Sequence, residues 1–232
     1  MSKPFVGFWA LERTETQKKL DAGMIKEGKK PGTGFLAIAD NGEFHLLLFS
    51  ASSGVVLTGK YVIDGKNIFL HFETANASEK LSEGQRKPQK FSLNSTNDKL
   101  ISEYVRSEDR NVFVKQTGTN SKLPPEFAGI WKPRLTEAQV KTINDLKAKG
   151  ERFPMQALVI TPDGLFEFLN LNESTPVAGH GVAEVTEGHL MLTPKMVNGR
   201  LDLLEDQKMP LQYEPSKDMK TLSQGSIVME KQ

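Results

Sequence analysis

Cysteine is absent from the 232 residues, which removes disulfide scaffolds, thiolate metal sites, iron–sulfur ligation and a cysteine nucleophile together. Tryptophan occurs twice, tyrosine three times and histidine four times, so few side chains remain for stacking, phenol or imidazole chemistry. No apolar run approaches the length that spans a bilayer, and Met1-Ser2-Lys3-Pro4-Phe5 opens no signal-peptide core. Membrane insertion is therefore not expected. An excess of one charge is missing too: 30 Lys+Arg face 29 Asp+Glu, and that balance gives no field to draw nucleic acid or an anionic surface. These residues predict a soluble, cytoplasmic chain, and an exported chain that has lost its leader fits as well.

What is present is a repeat. Slid along itself by 122 residues, the chain sets Phe5-Val6-Gly7-Phe8-Trp9 on Phe127-Ala128-Gly129-Ile130-Trp131, and Thr14-Glu15-Thr16-Gln17 on Thr136-Glu137-Ala138-Gln139. Leu36 and Ile38 then meet Leu158 and Ile160, Gly42 and Phe44 meet Gly164 and Phe166, Gly59 meets Gly181, and Leu100 meets Leu222, all without a gap. After Leu100 the second copy is shorter, so that Lys115 pairs with Lys231, the difference falling in a loop. Thr117 to Pro125 is small and polar and ends in a Pro pair, a linker composition. Two domains are expected, residues 1–119 and 120–232, each of ordinary domain size. A small positive excess in the first half and a small negative one in the second favour contact between the two domains within the chain.

Each copy reads the same way. Thr14 and Thr136, each followed three residues later by Gln, form capping boxes that open one amphipathic helix per copy, with Val140, Ile143, Leu146 and Ala148 at helical spacing and Gly28 and Gly150 at the ends. The rest reads as short strands: 35–39, 43–49, 55–63, 67–72, 90–95, 100–105 and 112–115 in the first copy. Asp40-Asn41-Gly42, Asp64-Gly65-Lys66-Asn67 and Asn97-Asp98-Lys99 are turn sequences that accept positive φ. Strands joined by turns this short are antiparallel. With Phe5 to Trp9 as a further strand, about eight per copy suffice to close a barrel. The predicted fold is mainly β: two tandem up-and-down antiparallel barrels, each with one helix after its first strand. Phe35, Leu47, Phe49 and Phe69 are apolar on the second strand face, so part of the outer wall is expected to be covered.

The chemistry-bearing residues form no constellation. His45, His71, His180 and His189 lack a ligand spacing, and no metal or cofactor is expected. Glu15 and Glu137 suit a first helical turn, and Glu83 with Glu205 has no partner to tune it. Ser52-Ser53-Gly54 lacks the strand–turn–helix setting of a nucleophile elbow, so no catalytic residue and no enzyme activity are expected. The basic run through Lys26, Lys29 and Lys30 fits a solvated helix end.

Phe-x-Gly-x-Trp leading an eight-strand meander resembles the calycin superfamily, namely lipocalins, fatty-acid-binding proteins and, most closely, small bacterial lipocalin-like domains of unassigned function. The resemblance implies that Trp9 beside Gly7, and Trp131 beside Gly129, plug one end of each barrel. A helix directly after the first strand is more similar to the fatty-acid-binding group. Tyr104 and Arg106 are the nearest counterparts of that group's carboxylate-holding pair and have no match in the second copy; the Thr-Asp-Tyr element of kernel lipocalins is absent. Two functions follow as expectations. The first is binding of a small apolar or amphipathic ligand inside a barrel lined by Phe35, Phe44, Tyr61 and Tyr104, with Arg106 near its polar end. The second is a structural or protein-interaction module whose barrels are filled by their own side chains.

Overall fold

Strands joined by tight turns build both halves of the chain. The computed structural model describes residues 4–27, 32–49, 54–103, 111–118, 123–171, 177–198 and 209–232. It divides into two compact units, Met1–Asn76 with Lys80–Gln116, and Ala77–Glu79 with Thr117–Gln232. The expected boundary between 119 and 120 lies outside the described residues.

In the first unit β1 (Gly7–Glu12) leads into α1 (Glu15–Lys26) and then β2 (Thr33–Ile38), β3 (Glu43–Phe49), β4 (Gly54–Asp64), β5 (Asn67–Ala75), β6 (Gln89–Leu93), β7 (Lys99–Ser102) and β8 (Val112–Lys115). Every strand pairs antiparallel with the one before, and β8 returns to β1, with Lys115 opposite Trp9, so the sheet closes into an eight-strand barrel. Closure gives every strand of this barrel two hydrogen-bonded neighbours among the described residues. The turns hold the conformations that their sequences allow: Gly65 sits at φ +57° and Asn97 at +59°. The seventh strand is shorter than expected, and residues 104–105, assigned to it from the sequence, lie outside the described residues.

The second unit repeats this order. A 3₁₀ turn (Pro125–Phe127) precedes β9 (Gly129–Pro133), α2 (Glu137–Ala148), β10 (Gln156–Ile160), β11 (Leu165–Asn170), β12 (Val177–Thr186), β13 (His189–Val197), β14 (Leu211–Pro215), β15 (Thr221–Gln224) and β16 (Ile227–Lys231). It too closes, β16 pairing with β9. Registers match between the copies: Trp9 faces Leu36 as Trp131 faces Leu158. Both carry a register shift beside a glycine, at Thr58/Gly59 and at His180/Gly181.

The helices correct one expectation. Both begin in the capping boxes read from the sequence, with the Gln17 N–H donating to Thr14 Oγ1 at 3.2 Å and the Gln139 N–H to Thr136 Oγ1 at 3.3 Å. Neither contains a buried residue, however, and Leu20 and Ile25 of α1 are 65% and 60% exposed. Caps and ion pairs such as Arg13 with Asp21 at 3.2 Å, rather than an inward apolar face, hold α1. No helix among the described residues is long and apolar enough to cross a membrane.

Candidate functional site

The interior of each barrel is the concave surface on which a ligand-binding reading depends. Side chains alternate along each strand, so one parity points inward. In the first barrel that parity carries Trp9, Leu36, Ile38, Phe44, Leu46, Leu57, Tyr61, Ile68, Leu70, Phe91, Leu100 and Phe113, which form one buried cluster. The rings meet inside it: Phe44 and Phe72 lie edge to face with centroids 5.5 Å apart, and Phe91 and Phe113 at 5.9 Å. The second barrel gathers Trp131, Leu158, Ile160, Phe166, Ala183, Leu190, Leu192, Leu222 and Met229 in the same way.

One end of each barrel is closed by a small assembly used twice. The Trp9 indole N–H donates to the Phe5 carbonyl at 2.8 Å, and the Trp131 indole N–H to the Phe127 carbonyl at 2.9 Å. The Lys115 ammonium lies 5.3 Å from the Trp9 ring centroid and donates to the Pro4 carbonyl at 3.1 Å. Lys231 stands 5.6 Å from the Trp131 ring and donates to the Glu126 carbonyl at 2.6 Å. Gly7 and Gly129 sit at φ +134° and +136°, and a Cβ on either would press on that lysine's Cε at 3.2 and 3.0 Å. The glycine thus makes room for the lysine stem, and the lysine covers the indole.

The residues assigned to a ligand from the sequence separate in the structure. Phe44 and Tyr61 do enter the first barrel's core. The Tyr61 hydroxyl donates to the Ala39 carbonyl at 2.6 Å, so its polar tip is held by backbone. Burial, with a smaller contribution from Asp40, raises the pKa of that phenol above its usual value. Phe35 does not line the interior: it alternates with Leu36 and Ile38, which point inward, and stands half-buried on the outer face of β2. Tyr104 and Arg106 lie outside the described residues.

At the other end of the first barrel the inward parity is only half-buried. Leu11 and Leu48 flank Gly34 there, with Val55, Ala75 and Leu81 packed against the same core. The matched end of the second barrel carries Pro133, Gln156 and Asn170 instead.

Comparison with known proteins adds no relative. No family model, no curated protein and no solved structure matches the chain. The tandem barrels are therefore read from their own residues.

Several supports escaped the sequence reading. Asn76 and Asn198 occupy matched positions at φ +48° and +47°, and each side-chain oxygen accepts a strand N–H, from Val56 and from Ala178, at 2.8 Å. Their identity at the repeat offset was the available signal. Among polar residues, Glu167 is 1% exposed and faces His180 across β11 and β12, on the outer parity of the second barrel with Val159, Leu169 and Met196. Burial holds the His180 imidazole down to about 4. Among the described residues, no group of three or more His, Cys, Asp or Glu stands close enough to hold a metal ion.

Proposed function

We propose that this chain is a non-enzymatic structural or protein-interaction module whose two barrels are filled by their own side chains and hold no small-molecule ligand. One observation carries the reading. Leu36, Ile68, Leu70 and Leu100 in the first barrel, and Phe166, Leu190, Leu192 and Leu222 in the second, are all at 0% exposure. A side chain that lines a chamber wide enough for water keeps accessible surface, so these layers leave no such chamber beside them. Eight strands enclose an interior that side chains alone can fill.

The pattern of retention between the copies supports the same reading. Gly7/Gly129, Trp9/Trp131, Gly59/Gly181, Asn76/Asn198 and Lys115/Lys231 shape turns, bulges and the closed ends. The inward polar candidate, Tyr61, is Ala183 in the second copy. Kinship with lipocalin-like domains belongs to this proposal, supported by the repeated Gly-x-Trp at the closed end of an eight-strand meander.

Native mass spectrometry after incubation with an apolar fluorophore and with a long-chain fatty acid tests the proposal. Unchanged masses are expected, and stoichiometric adducts that survive desolvation argue against it.

A second reading, enclosure of a small apolar ligand, is favoured by the half-buried end of the first barrel, where Leu11, Leu48, Val55 and Ala75 converge. Such a ligand would sit there and not in the second barrel, whose matched end holds Gln156 and Asn170. Its affinity would come from apolar burial, on the order of 0.8 kcal/mol per methylene.

A further inference from the structure

The chain contains two Asn-Gly pairs, Asn41-Gly42 and Asn198-Gly199, and the fold treats their carboxamides differently. Asn41 is exposed at the tip of the β2–β3 hairpin, where its Oδ1 accepts the Glu43 N–H at 3.0 Å. That bond runs from a side chain to the peptide two residues on, folding the carboxamide over its own C-terminal backbone. The Asn198 Oδ1 instead accepts the Ala178 N–H at 2.8 Å, while the Asn198 N–H donates to the Ala178 carbonyl at 2.7 Å. Its carboxamide is bolted to the end of β12, away from its own chain direction.

We infer that Asn41 is a site of spontaneous modification, converting through a cyclic imide to aspartate and isoaspartate. The Gly42 amide nitrogen gives its proton to a solvent base and attacks Asn41 Cγ. A new N–C bond forms, the Cγ–Nδ2 bond breaks, and ammonia leaves with a proton taken from water. Water then adds to one of the two imide carbonyls; opening one C–N bond leaves aspartate, and opening the other leaves isoaspartate.

Three features of this hairpin favour the step. Gly42 has no side chain to obstruct the attack, and nothing lies within 4 Å of where a Cβ would stand. The Glu43 N–H points at the oxygen on which negative charge develops, as a donor to an oxyanion does. The product also has a precedent within the molecule. The residue matched to Asn41 in the second copy is Asp163, also followed by glycine, and its carboxylate accepts the Gly118 N–H at 2.9 Å and the Thr161 hydroxyl at 2.5 Å. The hairpin thus accommodates aspartate. Isoaspartate lengthens the backbone by one atom and so disturbs the turn that sets Ile38 opposite Phe44.

The test compares the two Asn-Gly pairs as internal controls. The full chain is held at mildly alkaline pH, folded and in concentrated urea, and samples are mapped by peptide mass spectrometry with isoaspartate-specific methylation. Asn41→Asp confirms the assignment of the signal. In the folded chain Asn41 is expected to convert about tenfold faster than Asn198, the factor that one well-aimed hydrogen bond is worth, and in urea the two rates converge. Equal rates in the folded chain, or faster loss at Asn198, overturn the inference. A preference for Asn41 that persists unchanged in urea also overturns it, since the cause would then lie in the neighbouring sequence and not in the hairpin.

Discussion

The Lys115 ammonium lies over the Trp9 ring, 5.3 Å from its centroid, and Lys231 stands over Trp131 in the same relation at 5.6 Å. Each lysine sits on the strand that closes its barrel, directly opposite the tryptophan on the strand that opens it. The contact therefore joins the two ends of each barrel's sequence.

Lys115→Met keeps an apolar stem over the indole and removes the charge. The loss of the cation–π contact and of the hydrogen bond to the Pro4 carbonyl is expected to cost about 1–2 kcal/mol. Lys231→Met is expected to behave alike. Urea unfolding followed by tryptophan fluorescence measures both, and a midpoint unchanged in either variant contradicts this role.

Gly59→Ala places a methyl 2.0 Å from the His71 carbonyl oxygen, and Gly181→Ala places one 2.0 Å from that of Thr193. Backbone cannot yield as a side chain end does, so each is expected to cost about 3 kcal/mol or more. Gly65→Ala meets no atom within 4 Å and suffers only its positive φ, a cost of about 1–2 kcal/mol. Thermal melts by circular dichroism should rank Gly65→Ala well above the other two.

Asn76→Ala loses the bond to the Val56 N–H and strains a left-handed backbone, together worth about 2 kcal/mol. Asn76→Gly relieves the strain and is expected to recover about half of that. Asn198 offers the same pair of substitutions. Equal loss in the Ala and Gly variants would show that the φ angle contributes nothing.

How much of this was legible in the sequence follows from the range of each interaction. The capping boxes at Thr14 and Thr136 and the turns at Gly65 and Asn97 are local, and the residues alone specify them. The tandem barrels followed from the repeat and from turns too short for parallel strands. Lys115 over Trp9 spans the whole length of a barrel, and only closure brings the two together. Phe35 was misread because β2 is apolar on both faces, so a period of two cannot say which side is inward. The helix stripe at Val140, Ile143 and Leu146 is real as a pattern, yet Val140 stays exposed and Ile143 and Leu146 are only half-buried. Tyr61 belongs to the buried core of the first barrel, and its hydroxyl partner, the Ala39 carbonyl, depends on β3 and β4 folding back along the sheet.

His180 makes stability depend on pH in a defined direction. Its folded form is held neutral, with a pKa near 4 against an ordinary 6.5. The unfolded chain therefore takes up the proton first, and the contribution is present above about 6.5 and lost as pH falls toward 4. It amounts to at most about 3 kcal/mol. His180→Gln is expected to flatten that part of the urea midpoint profile. A variant whose profile parallels the parent across this window would contradict the assignment.

The interior packing is tested most directly by pressurising crystals of the parent chain and of Leu70→Ala with xenon. Leu70 is fully buried in the first barrel, and its truncation opens an apolar void at a cost of about 2–5 kcal/mol. The account predicts a xenon site in the variant at that position and none inside either parental barrel. Xenon occupying the core layers of the parent would contradict it.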